Sequence, residues 1–328
     1  MIRPILATGM ARSGGSWMAR MLVDGGGAVH VNEPLNRLHP PGLSPGILRV
    51  PRPLSYQYIA AHNEAEFDPG YADMLGLRYH VASELRANPA PYDLAKAAKY
   101  FTTFTVGRLR GSVPVVDDPY AVFAARWLAE RHGCQVVYLV RHPGGIVSSL
   151  KRIGTRWRDN LPDIARQPEL RAEYLEQFAD DLDRITREPF DVVEHGCLLY
   201  RMIHSAIAQD SARCSDAIVV RYEDLACDPI PQFRELYRRL GLSFGARAEA
   251  SISSATGPQN TRRQNPWGRV GLSRTAFQPM DSRANAWAWR HRLSAAEQED
   301  VIERTADVAS LFYTSDELRV SGAVATAT

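Results

Sequence analysis

The stretch that constrains this chain most is its first. An apolar run over residues 2–8 is followed by Gly9-Met10-Ala11-Arg12-Ser13-Gly14-Gly15-Ser16-Trp17, and a helical pattern then runs over residues 16–23. A buried strand handing over to a helix through a glycine-containing loop is how an α/β unit opens. Such a loop aims successive backbone N–H groups at one point, and the helix N-terminus adds partial positive charge there, so the turn is a cradle for an anion. Against G-x-x-x-x-G-K-[ST], Gly9, Gly14 and Ser16 match, while Gly15 stands where the lysine belongs. That lysine grips the terminal phosphates of a nucleoside triphosphate, so its loss turns the expectation to another oxyanion. Arg12, inside the loop, supplies a guanidinium fork for it.

The remaining chain keeps the α/β plan. Runs rich in Val, Ile and Leu at 28–31, 113–116, 135–140 and 217–220 alternate with helical periodicity at 92–109, 121–131, 145–152, 191–212, 230–240 and 294–311. This predicts a P-loop-like three-layer fold with a central, mainly parallel sheet flanked by helices. No break in composition divides the chain, so residues 1–315 are expected to form one domain with irregular, lid-like insertions at about 34–70 and 257–290. Residues 316–328 read as a disordered tail.

Charge narrows the function classes. With 39 Lys+Arg against 37 Asp+Glu the net charge is only +2, and no basic stripe is visible, which argues against a nucleic-acid coat. Only Lys96, Lys99 and Lys151 are lysines; the other 36 basic residues are arginines, whose planar forks match oxyanion geometry. No apolar stretch approaches the ~18 residues of a membrane span. The short apolar N-terminal run, broken by Pro4, does not read as a signal peptide, so the expectation is a cytoplasmic protein. Cys134, Cys197, Cys214 and Cys227 show no C-x-x-C spacing, which predicts reduced thiols and no metal site.

A second anion site is legible further on. The run 135–140 delivers Arg141 at its end, then His142-Pro143-Gly144-Gly145 and a helix bearing Ser148 and Ser149. One turn into that helix, the Ser149 hydroxyl converges with Arg141 near the carboxyl edge of the sheet, where open α/β sheets bind ligands. The plainer alternative is a surface ion-pairing arginine and a serine bonded to its own helix. Two further strand ends carry polar blocks: 217–220 runs into Arg221-Tyr222-Glu223-Asp224-Leu225, and 113–116 into Asp117-Asp118-Pro119.

Together these blocks resemble the sulfotransferases that use 3′-phosphoadenosine 5′-phosphosulfate (PAPS). Arg12 to Trp17 is similar to their 5′-phosphosulfate loop, Leu139-Val140-Arg141-His142-Pro143 through Ser149 to their 3′-phosphate motif, and Arg221 to Leu225 to a later family block. Val31-Asn32-Glu33-Pro34-Leu35 resembles the Glu-Pro-Leu block of the carbohydrate and bacterial-type branch. The resemblance spans roughly residues 2 to 240 and departs from the pattern twice: Gly15 replaces the usual Ser or Thr, and Asn36 stands where an aromatic is common.

The resemblance implies sulfuryl transfer from PAPS to the hydroxyl of a carbohydrate, glycolipid or secondary metabolite, with no metal and no nucleic-acid partner. It implies Glu33 as catalytic base and Arg12 as the stabiliser of developing charge, with Ser13, Gly14, Gly15, Ser16 and Trp17 holding the phosphosulfate and Arg141 and Ser149 the 3′-phosphate. Tyr222 either lies against the adenine or packs under the sheet edge. Strands one and two are expected to be neighbours, which sets Glu33 beside the loop; His30, the alternative base, alternates to the other face. Tyr56, Tyr58, Tyr71, Trp267 and Phe277 are expected walls for the acceptor; Trp287, Trp289 and Arg290 precede the last helix and either close over the nucleotide or, as aromatic residues there more often do, pack into the core. Two rivals are a P-loop kinase or NTPase, with Asp117 and Asp118 holding Mg²⁺ as in a Walker B strand, and a nucleotide-binding module without catalysis.

Overall fold

Five short apolar runs pair into one parallel sheet: β1 (Ile5–Gly9), β2 (Ala28–Asn32), β3 (Val113–Asp117), β4 (Gln135–Val140) and β5 (Ile218–Arg221), in the order β2-β3-β1-β4-β5. The computed structural model describes residues 2–36, 54–87, 91–154, 160–257, 260 and 281–319. Successive residues of β1 feed opposite faces, as a two-residue repeat requires. Leu6 joins Val31, Val116, Tyr138 and Val140 on one side, with Ile146, Leu150 and Ile203 from the helices covering them. Ile5 and Ala7 join Val115, Val137 and Leu139 on the other, beneath Met18 and Leu22 of α1 (Gly15–Asp24) and Phe233 and Leu236. The architecture is therefore α/β, helices on both faces of a parallel sheet.

β1 and β2 are not neighbours. β3 lies between them, Val115 pairing with Ile5 on one side and His30 on the other. The reason is burial: β1 is buried along its whole length and belongs at the centre, whereas β2 alternates buried and half-exposed residues and suits an edge. The first strand also starts later than its apolar run, because Pro4 has no N–H for the ladder and Ile2 is 48% exposed.

Three expectations about irregular segments change. Residues Glu64–Leu75 are helical, burying Phe67, Tyr71 and Met74 on one face; Pro69 and Gly70 obscure that period in the sequence. Ser282–Trp287 is helical too, its first turn capped by Asp281, which accepts a hydrogen bond from the Ala284 N–H. Residues 316–319 are not tail: Ser315–Arg319 is a short helix pinned by buried Leu318. The expected helix over 121–131 splits into a 3₁₀ stretch, Pro119–Ala124, and an α-helix, Ala125–His132. Residues 37–53 of the first insertion, 258–259 and 261–280 of the second, with Trp267 and Phe277, and residues 320–328 lie outside the described residues. Among the described residues no helix is long and apolar enough to cross a membrane.

Candidate functional site

The site is assembled at the carboxyl ends of β1, β2, β3 and β4. Gly9 closes β1 at φ 153°, and a Cβ there would lie 2.3 Å from the Leu139 carbonyl oxygen, so only glycine lets the two strand ends approach. The loop then turns through Arg12 at φ 78°, a left-handed conformation that costs a non-glycine residue on the order of 1–3 kcal/mol. Inside the loop the Ser13 N–H donates to the Met10 carbonyl (3.0 Å), and the Trp17 and Met18 N–H groups donate to Gly14 (3.1 Å each). The Ala11 N–H donates to the Tyr56 hydroxyl (3.2 Å). Among the described residues the amides of Gly14, Gly15 and Ser16 have no acceptor, and Gly14 caps α1 without a side-chain bond. The loop thus leaves three successive amides, Gly14 to Ser16, open toward a ligand. Buried Trp17 packs edge-on against Tyr222 (5.6 Å) and Phe233 (5.4 Å).

Two arginines tie this loop to the next strand end. Arg12 Nε donates to Ser149 Oγ (3.0 Å), which sits in the helix Pro143–Ile153. Arg141, only 4% exposed, donates to the carbonyls of Arg12 (3.0 Å) and Asn285 (2.8 Å), and its guanidinium lies 4.3 Å from the Tyr222 ring centre. Tyr222 is buried beneath Gly14, donates to the Ser282 carbonyl (3.2 Å) and accepts from Asn285 Nδ2 (3.1 Å). Buried Glu223 braces the turn from behind, accepting from the His142 N–H (3.0 Å) and the Tyr313 hydroxyl (2.9 Å). Trp289 stacks on His142, ring centres 4.3 Å apart, and is core.

Sequence reasoning missed further guanidinium groups. Arg12 is held below the usual arginine range by burial, then by Arg152 and Arg141; Arg292 is lowered by burial and by the same two neighbours. Arg141 and Arg152 thus lie near both Arg12 and Arg292, and repulsion among such guanidinium groups is relieved by a bound anion. Arg152 follows Ser149 by three residues on one helix face. Nothing in the sequence marks Arg292 among so many arginines.

The opposite wall is acidic. Glu33 leaves β2 at φ 42°, its N–H donating to the Asp117 carbonyl (2.6 Å) and its Oε2 accepting from Asn36 Nδ2 (2.5 Å). Burial, and then the neighbouring Asp117, push the Glu33 carboxyl up to about 7, against the opposing pull of the Asn36 hydrogen bond and Arg12. Asp118 spends both oxygens on backbone amides, Tyr120 (2.9 Å) and Leu35 (2.6 Å), and so caps the 3₁₀ stretch and fixes the turn after Glu33. Burial raises Asp118 well above its ordinary value. Asp117, 1% exposed, has Oδ2 3.4 Å from His30 Nε2 and Oδ1 3.1 Å from where a Gly15 Cβ would stand. Among the described residues no group of three or more His, Cys, Asp or Glu is arranged to hold a metal ion.

The structure thus brings together Arg12, Arg141 and Ser149 through hydrogen bonds, with Glu33 near Arg12. Of the expected acceptor walls, Tyr56 touches the loop. Tyr58 instead bonds to Glu173, and Tyr71 packs edge-on against Trp127 (5.5 Å).

A model described as the sulfotransferase family matches residues 4–246. None of the curated proteins matches the sequence. Similar solved structures include the sulfotransferase domain from the curacin biosynthetic pathway, at 13% identity over 93% of this chain and 98% of that one, with a TM-score of 0.48. The sulfotransferase domain of the Synechococcus PCC 7002 olefin synthase has 16% identity over 94% of this chain and 96% of that one, TM-score 0.43. Mouse sulfotransferase SULT7A1 complexed with PAP has 12% identity over 97% of this chain and 87% of that one, TM-score 0.45. With the family match covering most of its length, the chain belongs to the sulfotransferase family.

Proposed function

We propose that the protein transfers a sulfuryl group from PAPS to a hydroxyl of a small-molecule or glycan acceptor, with Glu33 as the general base. One observation carries the reading: Arg12 bridges the amide cradle to Ser149 on one side and faces a buried carboxyl poised near 7 on the other.

The residues fit a nucleotide with two anionic ends. PAPS supplies the sulfuryl group and a phosphate leaving group. The Gly14, Gly15 and Ser16 amides, the Ser16 hydroxyl and the Arg12 fork receive charge that grows on the leaving oxygen, in a transfer governed by positioning and electrostatics. Ser13 and Trp17 shape that loop from beneath. Arg141 and Ser149 hold the 3′-phosphate, and Tyr222 keeps Arg141 in place under the nucleotide. Glu33 accepts the proton of the acceptor hydroxyl as the new S–O bond forms and the S–O bond to the 5′-phosphate breaks. A base near the working pH is the most effective one for this step. No step calls for a metal.

The test is mass spectrometry of the protein with PAPS and a panel of extracts, seeking a gain of about 80 Da, the mass of SO₃ expected of this reaction class. Glu33→Gln is expected to keep nucleotide binding and lose turnover. Binding that needs Mg²⁺ and prefers ATP overturns the reading in favour of a kinase; unchanged function in Glu33→Gln favours a module without catalysis.

A further inference from the structure

The acidic wall holds more carboxylate than one proton transfer requires. Asn32, the last residue of β2, is in register with Asp117, the last of β3, and the Glu33 N–H donates to the Asp117 carbonyl. Two acidic side chains therefore leave adjacent strand ends, and Asp117 is shut off from solvent. Its carboxylate has room because residue 15 is glycine: a Cβ there would already press on Oδ1 at 3.1 Å. The hydroxyl that the family pattern commonly carries at that position is replaced here by the edge of a carboxylate, at the mouth of the anion cradle.

We propose that Asp117 and Asn36 are positioning residues that tune Glu33 in opposite senses, Asp117 favouring its protonated form by like charge and Asn36 its ionised form by a hydrogen bond. The inference rests on Glu33 as base. Like charges in a poorly solvated site disfavour joint ionisation, whereas a donor to the carboxylate favours it. Among the described residues the other groups facing this pair are Arg12 from the loop, Asp118 from the end of β3, and the Tyr56 hydroxyl, all toward Glu33. His30 from β2 and Arg20 from α1 face Asp117. The burial that raises Glu33 is common to every variant below, so the two neighbours can be separated from it.

The experiment follows the Glu33 carboxyl by ¹³C NMR titration, its signal assigned by its loss in Glu33→Gln, alongside the pH profile of kcat/KM with PAPS and the acceptor. Asp117→Asn is expected to lower the Glu33 midpoint by about one pH unit and to carry the acidic limb of the profile down with it. Asn36→Ala is expected to raise both by roughly half a unit to one unit, and the double variant to return toward the starting value. Should Asp117→Asn fail to fold, Asp117→Ser removes the same charge and answers the same question. Midpoints that stay put, or move in the same direction in the two variants, overturn the proposal. If Glu33→Gln keeps its turnover the base reading falls instead, and the NMR midpoints still decide whether Asp117 and Asn36 tune the carboxyl.

Discussion

The two walls of the site are built on opposite electrostatic plans. On the β1 and β4 side, guanidinium groups outnumber carboxylates, and one of them, Arg141, is aimed by the backbone carbonyls of Arg12 and Asn285, which orient a cation without neutralising it. On the β2 and β3 side, carboxyl groups crowd together, and the shortfall is met by protons and backbone amides. On the proposed reading the cationic wall is completed by a ligand's charge and the acidic wall by a proton. A transfer that develops negative charge on a leaving group and releases a proton from an acceptor uses each wall for what it lacks.

The contrast breaks most sharply at Glu33. Glu33→Gln is expected to lower turnover by about 10²–10⁴-fold, the range for a general base, while nucleotide affinity measured by calorimetry changes little. Arg141→Ala inverts that pattern. It removes a buried cation, held by the Arg12 and Asn285 carbonyls, from the proposed 3′-phosphate site, and nucleotide affinity should fall roughly 10- to 100-fold. Turnover at saturating donor should fall much less.

The acidic wall also has a cost in stability that the cationic wall does not share. Glu33 titrates near 7 when folded against 4.5 ordinarily, so between those values the folded protein holds a proton that the unfolded chain has released. Stability from this carboxyl is therefore lost as pH rises through that window, by ~3 kcal/mol at most. Urea unfolding should find Glu33→Gln more stable than the parent at pH 8 and nearly equal to it at pH 4, while kcat/KM of the parent rises with pH through about 7. The smallest effect belongs to the exposed edge of the cationic wall. Arg152→Ala and Arg292→Ala should each weaken nucleotide binding by roughly 3- to 10-fold and flatten its salt dependence, since exposed charges are screened.

Much of this was legible in local sequence. The strand ends bearing Arg12, Glu33 and Arg141 follow short apolar runs that mark them as strands, and the helix through Ser149 shows its period plainly. Strand order is a non-local property, and the run 28–31 carries no sign that β3 separates it from β1. That insertion is what sets Asp117 against Glu33, so the tuning of the base was invisible until the order was known. The helix Glu64–Leu75 was hidden for a different reason: Pro69 and Gly70 argue locally for a loop, and the burial of Phe67, Tyr71 and Met74 overrides them.

The close approach of Gly9 to Leu139 has a geometric consequence. The loop that begins at Gly9 and the strand end that leads to Arg141 are locked backbone to backbone, through paired strands with no side chain between them. On the proposed reading, the two anion sites are therefore the jaws of a fixed caliper. Substituting Arg12, Ser149 or Arg141 would then alter how firmly each jaw grips, but with the gap set by main chain the proposed ligand would be selected first by the distance between its two charged ends.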